Sequence, residues 1–95
     1  GEVITEKELL DSLIAVAKGR NWFCYHTWNS MHSTAGFPDL FLVRGAVALA
    51  FEVKTAAGVV SGAQQEWLTR LAQVPGVTAL LVRPANLEEA YRALV

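Results

Sequence analysis

The sequence predicts an α/β domain whose helices cover both faces of a small β-sheet. Three observations predict this fold class: apolar residues at helical spacing at both ends of the chain, two strand-like segments around a Gly-Ala pair, and a continuous apolar run near the C-terminus. The predicted element order is α-β-β-β-α-β-α, and the last helix is short. Ninety-five residues suffice for one domain, so 1–95 is treated as a single unit.

The first helix is predicted to begin after Thr5. The segment 5–8 reads Thr-Glu-Lys-Glu, which is a capping box with Thr5 as the N-cap and Glu8 at position N3. Apolar residues then recur at helical spacing to about Lys18, at Leu9, Leu10, Leu13, Ile14 and Ala17.

A β-hairpin is predicted over 38–44 and 47–54, and Gly45-Ala46 between its strands suits a tight type II′ turn. A short aromatic strand over 22–25 or 22–26 precedes it, separated by a polar loop over 29–36. Because alternate strand residues share a face, one hairpin face carries Leu40, Leu42, Leu49, Phe51 and Val53, and the other carries Phe41, Val43, Ala48 and Ala50.

The last third of the chain predicts a helix, a strand and a final helix. Ser61 can cap a helix that runs to about Gln73, where Pro75-Gly76 stops it. The continuous apolar run at 77–82 is typical of a strand buried on both faces. Asn86 is predicted to cap the final helix, whose apolar residues are Leu87, Ala90, Tyr91 and Leu94.

Composition narrows the classes of function. A formal net charge of −1 argues against a histone-like, non-specific nucleic-acid binder. The hydrophobic fraction of 53% suggests a sheet covered on both faces or an apolar surface for self-association. Cys24 is the single cysteine, and the sequence has neither a signal peptide nor an apolar stretch of about 20 residues. We therefore expect a cytoplasmic protein without a membrane partner.

Two carboxylates are expected to face each other at the open end of the hairpin. Counting outward from the turn places Asp39 opposite Glu52, with Cβ atoms about 5 Å apart, a spacing at which like charges destabilise a sheet. A divalent cation would offset this repulsion. The two carboxylates and the backbone carbonyl of Val53 would form the oxygen-rich site that Mg²⁺ or Mn²⁺ prefers. The alternative is a pair of ordinary surface charges at an exposed strand end.

Lys54 is expected beside this pair. Residues two apart in a strand share a face, so Lys54 projects with Glu52 while Val53 points to the core. The ammonium group could hold an attacking water or offset charge on a pentavalent phosphorus transition state. The alternative is an incidental surface lysine.

Glu6 and Gln64 are polar residues that head apolar helical stripes. Glu6 precedes Leu9, Leu10 and Leu13, and Gln64 precedes Trp67, Leu68 and Leu71, at helical spacing. A shared metal-and-water site would supply the partners that such side chains need. The alternatives are a first-turn charge that interacts with the helix dipole for Glu6 and an ordinary first-turn polar residue for Gln64. Glu8 projects away from the stripe and is explained as a cap.

Other polar and aromatic residues give weaker signals. His26 and His32 flank the 27–36 loop and could contact a phosphate or a metal, although two histidines without a fixed motif more often have no such role. Four aromatic residues could stack on bases but are expected in the core: Trp22, Phe23, Trp28 and Trp67. The arginines are scattered, and we expect most to be solvated: Arg20, Arg44, Arg70, Arg83 and Arg92.

The ordered motifs resemble those of the PD-(D/E)XK nuclease superfamily. They are Gly-Phe-Pro-Asp at 36–39, Glu-Val-Lys at 52–54 and Ser-Gly-Ala-Gln at 61–64, with the helical Glu6 upstream. More narrowly, the chain is similar to the VRR-NUC group, in which small stand-alone domains occur in phage and bacteria, and the similarity extends over 5–84. The resemblance implies a restriction-endonuclease-like αβββαβ core with a mixed sheet flanked by helices.

The resemblance also implies roles for single residues. Lys54 would be the catalytic lysine, and Gln64 the supporting glutamine that orients Lys54 or water. The metal would be Mg²⁺ or Mn²⁺, with no organic cofactor. Small members resemble Holliday-junction resolvases and are expected to act as homodimers with one active site per DNA strand. The metal-binding set would be Asp39, Glu52, Glu6 and the carbonyl of Val53.

The sequence therefore predicts a metal-dependent endodeoxyribonuclease that hydrolyses phosphodiester bonds as a homodimer, on branched DNA such as a Holliday junction, in the cytoplasm of a phage-infected or bacterial cell. Two alternatives stay open: a nuclease acting on flaps, ends or ordinary duplex, and a non-catalytic DNA-binding module of the same fold. The intact Asp39, Glu52 and Lys54 favour an enzyme, because a degenerate copy would be free to lose them.

Overall fold

The computed structural model describes residues 3–27 and 33–95. The predicted order of elements and the α/β class are confirmed. None of the helices in these two ranges is long and apolar enough to span a bilayer. The predictions for Trp28 and His32 lie outside the described residues. The elements are α1 (Glu6–Gly19), β1 (Phe23–His26), β2 (Leu40–Arg44), β3 (Val47–Val53), α2 (Gly62–Leu71), β4 (Val77–Val82), a 3-10 turn (Pro84–Asn86) and α3 (Leu87–Leu94).

The four strands form one mixed sheet in the order β1-β2-β3-β4. β1 and β2 pair antiparallel, β2 and β3 form the predicted hairpin, and β4 lies parallel to β3. The hairpin register is as predicted, with Leu40 paired to Phe51. Gly45 has a φ of +60°, as the first central position of a type II′ turn requires. The next step outward from Leu40 and Phe51 brings Asp39 and Glu52 to the same end of the sheet.

The core lies on the inner face of the sheet, which we define as the face against α1 and α3. The predicted apolar set of the hairpin is buried here, with each member at most 2% exposed: Leu40, Leu42, Leu49, Phe51 and Val53. These residues pack against Leu9, Leu13, Ala17, Ala90 and Leu94 of the two helices. Trp22 joins this core as predicted, and its Nε1 donates to the Leu94 carbonyl at 2.9 Å.

The outer face, which is the opposite face of the sheet, is covered only in part. α2 lies over β3 and β4, and Phe37 bridges Phe41 of β2 and Trp67 of α2, with ring centroids 5.8 and 5.1 Å apart. Phe23 and Tyr25 of β1 are 82% and 60% exposed. The prediction that Phe23 packs in the core is therefore wrong, because α2 lies over β3 and β4 and leaves Phe23 uncovered.

Two local predictions differ from the structure. β4 is an edge strand, so its apolar run is mostly half-buried, and only Val82 is fully buried. Asn86 does not cap α3 with its side chain. Its Oδ1 accepts from the Arg83 N–H at 2.7 Å and its Nδ2 donates to the Leu81 carbonyl at 2.8 Å, which joins the end of β4 to the 3-10 turn.

Candidate active site

Asp39 is held at the start of β2 by its neighbours on both sides. The Thr27 hydroxyl donates to the Pro38 carbonyl at 2.8 Å, and the Thr27 N–H donates to the Asp39 carbonyl at 2.9 Å. The Asp39 carboxylate accepts the Val53 N–H at Oδ2, at 2.8 Å. One oxygen of this carboxylate is therefore fixed to β3.

Glu52 is the charged residue that the fold buries. It is 1% exposed and is the only polar or charged residue among the fully buried ones in the described ranges. Burial raises its pKa to about 8, with further upward contributions from the Asp39 charge, a hydrogen bond with Asp39, and the Glu6 charge, whereas Lys54 lowers it. The charges of Asp39, Glu6 and Lys54 therefore all act on the buried Glu52.

Gln64 links this cluster to α2. Its side-chain Oε1 accepts from the backbone N–H of Ser61 at 2.9 Å. Its backbone N–H donates to the Ser61 hydroxyl at 3.1 Å, which completes a capping box. Its Nε2 donates to both oxygens of Glu52 at 3.3 Å. The side chain therefore caps the helix and orients the buried carboxylate at the same time. Gln64 is thus the ordinary first-turn polar residue of a capping box, and its contact with Glu52 is compatible with the predicted site role, which stays a prediction.

Gly36 sets the distance between α2 and the sheet. Its φ is +95°, and a Cβ at this position would lie 2.5 Å from the backbone carbon of Ala63. Trp67 of α2 donates from Nε1 to the Ala35 carbonyl at 3.2 Å. The 35–37 segment thus packs against the first turn of α2 without an intervening side chain. This close approach places Gln64 within reach of Glu52.

Glu6 and Glu8 separate as the sequence predicts. The Glu8 carboxylate accepts from the Thr5 hydroxyl at 3.0 Å and from the Thr5 N–H at 3.3 Å, so Glu8 is the cap residue. Glu6 lines a cavity of about 490 Å³, which also includes Lys7, Leu10, Asp11, His26, Asp39 and Val53. The structure therefore brings Glu6, Asp39 and His26 to one cavity at the end of the sheet.

Lys54 follows β3 directly and is half-buried. Its N–H donates to the Val82 carbonyl at 2.9 Å, which fixes its backbone to β4. The three salt bridges found in the described ranges are exposed i,i+4 pairs on helices, and none includes Lys54. The charge of Lys54 lowers the pKa of Glu52 and so opposes the effect of burial on that carboxyl group.

The carboxylate oxygens of Glu6, Asp39 and Glu52 at this end of the sheet are of the kind that a hard cation prefers. Within 3–27 and 33–95, no three His, Cys, Asp or Glu side chains are gathered closely enough to hold a metal by themselves. Mg²⁺ usually binds one or two carboxylates and keeps several waters, which a paired Asp39 and Glu52 satisfy. A divalent cation would also offset the cost of burying Glu52 and its repulsion from Asp39 and Glu6, which together raise the pKa of Glu52.

Two arginines bind backbone carbonyls, and no sequence signal indicated it. Arg44 stacks over the Trp22 ring at 4.2 Å and donates to the carbonyls of Arg20 at 2.9 Å and Val95 at 3.1 Å. Arg83 donates to carbonyls of the loop after Lys54. The prediction that most of the arginines are solvated is confirmed by the exposed Arg20, Arg70 and Arg92, and Arg44 and Arg83 are the two exceptions.

Comparison with known proteins agrees with these motifs. The family described as "VRR-NUC domain" matches residues 4–83. A solved structure described as "VRR_NUC domain protein" has a TM-score of 0.71 and 24% sequence identity, and the alignment covers 100% of this chain and 91% of that chain. This likeness shows the fold, whereas comparison with curated proteins gave no match. On the family match, which spans most of the sequence, the chain belongs to the VRR-NUC family of nuclease domains.

Proposed function

We propose that this domain is a Mg²⁺- or Mn²⁺-dependent endodeoxyribonuclease that hydrolyses phosphodiester bonds. The observation that carries the proposal is the buried Glu52, which interacts with Asp39, Lys54 and Glu6 at one end of the sheet. A structural role does not require a carboxylate to be buried beside a second carboxylate, because this arrangement is costly. A carboxylate with a raised pKa beside charged residues that line a cavity is typical of catalytic sites, and Asp39 and Glu6 line the cavity next to Glu52.

The metal would be held by the carboxylates of Asp39 and Glu52 and by the carbonyl of Val53. Glu6 on α1 would contribute through a metal-bound water, because no three carboxylates in the described ranges lie close enough to bind a metal together. A bound divalent cation supplies a more acidic water and stabilises negative charge on the phosphoryl group. Asp39 keeps its orientation through the Val53 N–H.

Lys54 and Gln64 have complementary roles in this proposal. The Lys54 ammonium group holds the attacking water or stabilises charge that develops on the phosphate. Gln64 contacts Glu52 rather than Lys54, so its role is to keep both oxygens of that carboxylate in place.

Branched DNA is the proposed substrate and the homodimer the proposed active form. Two copies related by a two-fold axis would present one site to each strand of a junction. The exposed Phe23 and Tyr25 support self-association, because β1 is an edge strand without the Lys, Glu or Pro residues that protect such edges. A nuclease acting on flaps, ends or duplex and a non-catalytic DNA-binding module remain as the rival functions.

Cleavage of a labelled four-way junction, a flap and a linear duplex tests the proposal. We expect cleavage with Mg²⁺ or Mn²⁺ and none with EDTA, and we expect Lys54→Ala and Asp39→Ala to lose roughly 100- to 1,000-fold in rate. No metal-dependent cleavage of any substrate would reject the enzyme, and equal cleavage of all three would reject the junction preference.

Substitutions at Glu6 and Glu8 test which of these two residues is the acid that α1 contributes to the site. Glu6→Ala should lose activity, whereas Glu8→Ala should lose only the stability of a cap, about 1 kcal/mol, and stay active. The reverse result would show that Glu6 is not the helix acid.

A further inference from the structure

Arg83 follows β4 directly and binds the loop that leads away from Lys54. Its Nη1 donates to the carbonyl oxygens of Thr55 at 2.7 Å and Gly58 at 2.8 Å, and lies 3.4 Å from that of Ala56. Three carbonyl oxygens therefore converge on one guanidinium nitrogen. Carbonyl oxygens carry partial negative charge, so this convergence is favourable only while a cationic donor lies between them.

The loop also packs along the side chain of Lys54. The Gly58 N–H donates to the Thr55 carbonyl at 3.2 Å, which closes a turn. A Cβ at Gly58 would lie 3.3 Å from Cδ and 3.4 Å from Cβ of Lys54, so the turn is in contact with the aliphatic part of the lysine. The position of the lysine stem therefore depends on the turn, and the turn depends on Arg83.

The other end of the loop leads into α2. Ser61 is the N-cap, and Gln64 three residues later donates to Glu52. Arg83 is itself anchored, because its N–H donates to Asn86 Oδ1 at 2.7 Å. One arginine thus holds the segment that connects two side chains of the site.

We propose that Arg83 is a positioning residue, which holds the 55–60 loop so that Lys54 and Gln64 keep their places around Glu52. The inference goes beyond the proposed function by adding a residue that resembles no site motif, and its kinetic test depends on that function. Arg83 therefore affects the rate of the catalytic step through Lys54 and Gln64, and it does not bind DNA phosphate.

The kinetic test compares wild type, Arg83→Ala, Arg83→Lys and Arg92→Ala. Arg92→Ala is the matched control, because Arg92 is exposed on α3 and its side chain pairs with Glu88 of the same helix, at 3.0 Å. Arg83→Ala should lower kcat roughly 10- to 100-fold and leave the Kd for DNA in EDTA and its salt dependence unchanged. Arg83→Lys should recover part of the rate, because an ammonium group also donates to carbonyls.

Two results, one from DNA binding and one from the cleavage rate, would overturn the inference. A weaker Kd with a salt slope reduced by about 1 and an unchanged kcat would show that Arg83 contacts a phosphate. A kcat equal to that of Arg92→Ala would show that the loop does not need Arg83.

Hydrogen exchange separates this inference from the proposed function. Without DNA, the amide of Gly58 should exchange faster in Arg83→Ala than in Arg92→Ala, and unchanged exchange would overturn the inference even if the wild type is active. If the wild type cleaves no DNA, the proposed function fails. The exchange result still shows whether Arg83 holds the 55–60 loop. If Arg83→Ala does not fold, Arg83→Lys and Arg83→Gln provide the same graded comparison.

Discussion

The two faces of the sheet are made from similarly apolar strands, yet they differ in how completely they are covered. On the inner face, the hairpin residues are at most 2% exposed, whereas Phe23 on the outer face is 82% exposed. An α-helix is about 10 Å wide and strands lie about 4.8 Å apart, so one helix covers about two strands. Two helices cover the four strands of the inner face, and α2 alone covers β3 and β4 of the outer face.

The difference shows that stability comes mainly from the inner face, whereas Glu52 of the candidate site lies on the outer face. The inner face supplies the continuous core. The outer face buries Glu52 under α2 and leaves an apolar strip on β1. Four predictions test this division, and they run from the largest expected effect to the smallest.

Glu52 should make the metal-free protein less stable as the pH rises. Its pKa is about 8 in the folded chain against an ordinary value of 4.5, so the folded state retains a proton that the unfolded state has lost. The contribution of Glu52 to the free energy of unfolding should therefore be fully present below pH 4.5 and fall by several kcal/mol up to about pH 8, at ~1.4 kcal/mol for each unit of pKa difference. Urea unfolding in EDTA from pH 4 to 9 measures this slope.

The Glu52→Gln variant is the control for this slope, because other groups also titrate in the same range. It should remove most of the decline, and Mg²⁺ should stabilise the wild type above pH 7 more than it stabilises the variant. Parallel pH profiles for the two proteins would contradict the assignment of the raised pKa.

Leu13→Ala should destabilise the inner face strongly. Leu13 is 0% exposed in the core, and removing a buried leucine side chain costs about 2–5 kcal/mol. Urea or thermal unfolding measures the loss, with Val59→Ala as the control, since Val59 is 83% exposed. Equal effects of the two substitutions would show that the inner face is not the main source of stability.

Gly36→Ala should move α2 away from the sheet and lower the free energy of unfolding by about 1–3 kcal/mol. The new Cβ would overlap the backbone of Ala63, so the first turn of α2 and Gln64 must shift, and kcat should fall as well. Gly45→Ala is the control, because Gly45 also has a positive φ but a Cβ there meets no atom within 4 Å. If both variants keep full activity, the close approach at Gly36 does not position Gln64.

Phe23→Ser should change the stability of the monomer by less than about 0.5 kcal/mol, as at other exposed positions. The same substitution, or Tyr25→Ser, should weaken the homodimer if the apolar strip of β1 lies in its interface. Urea unfolding at low concentration and sedimentation equilibrium measure the two effects. A large loss of monomer stability would show that this region belongs to the core, and an unchanged dimer would place the interface elsewhere.

Much of the candidate site follows from local sequence. The register of a hairpin is fixed by its turn, so Gly45-Ala46 is enough to pair Leu40 with Phe51 and to bring Asp39 and Glu52 to the same end of the sheet. Capping boxes are equally local, and the one that includes Thr5 assigns Glu8 to the cap and leaves Glu6 for the cavity.

Long-range contacts could not be predicted in the same way. Nothing in the sequence near Arg83 indicates that its side chain reaches a loop 25–28 residues earlier in the chain. The exposure of Phe23 was also missed, because an apolar strand residue has the same pattern whether or not a helix covers it.

The sequence alone determined the order of the elements, the hairpin register and the set of carboxylate, lysine and glutamine side chains, because these depend on turns, caps and periodicity within a few residues. Only the tertiary structure decided that α2 lies over β3 and β4, that Glu52 is buried beneath Gln64, and that Arg83 holds the loop after Lys54. Burial and the raised pKa of Glu52 arise from groups distant in sequence, so they exist only once the sheet and its helices have packed.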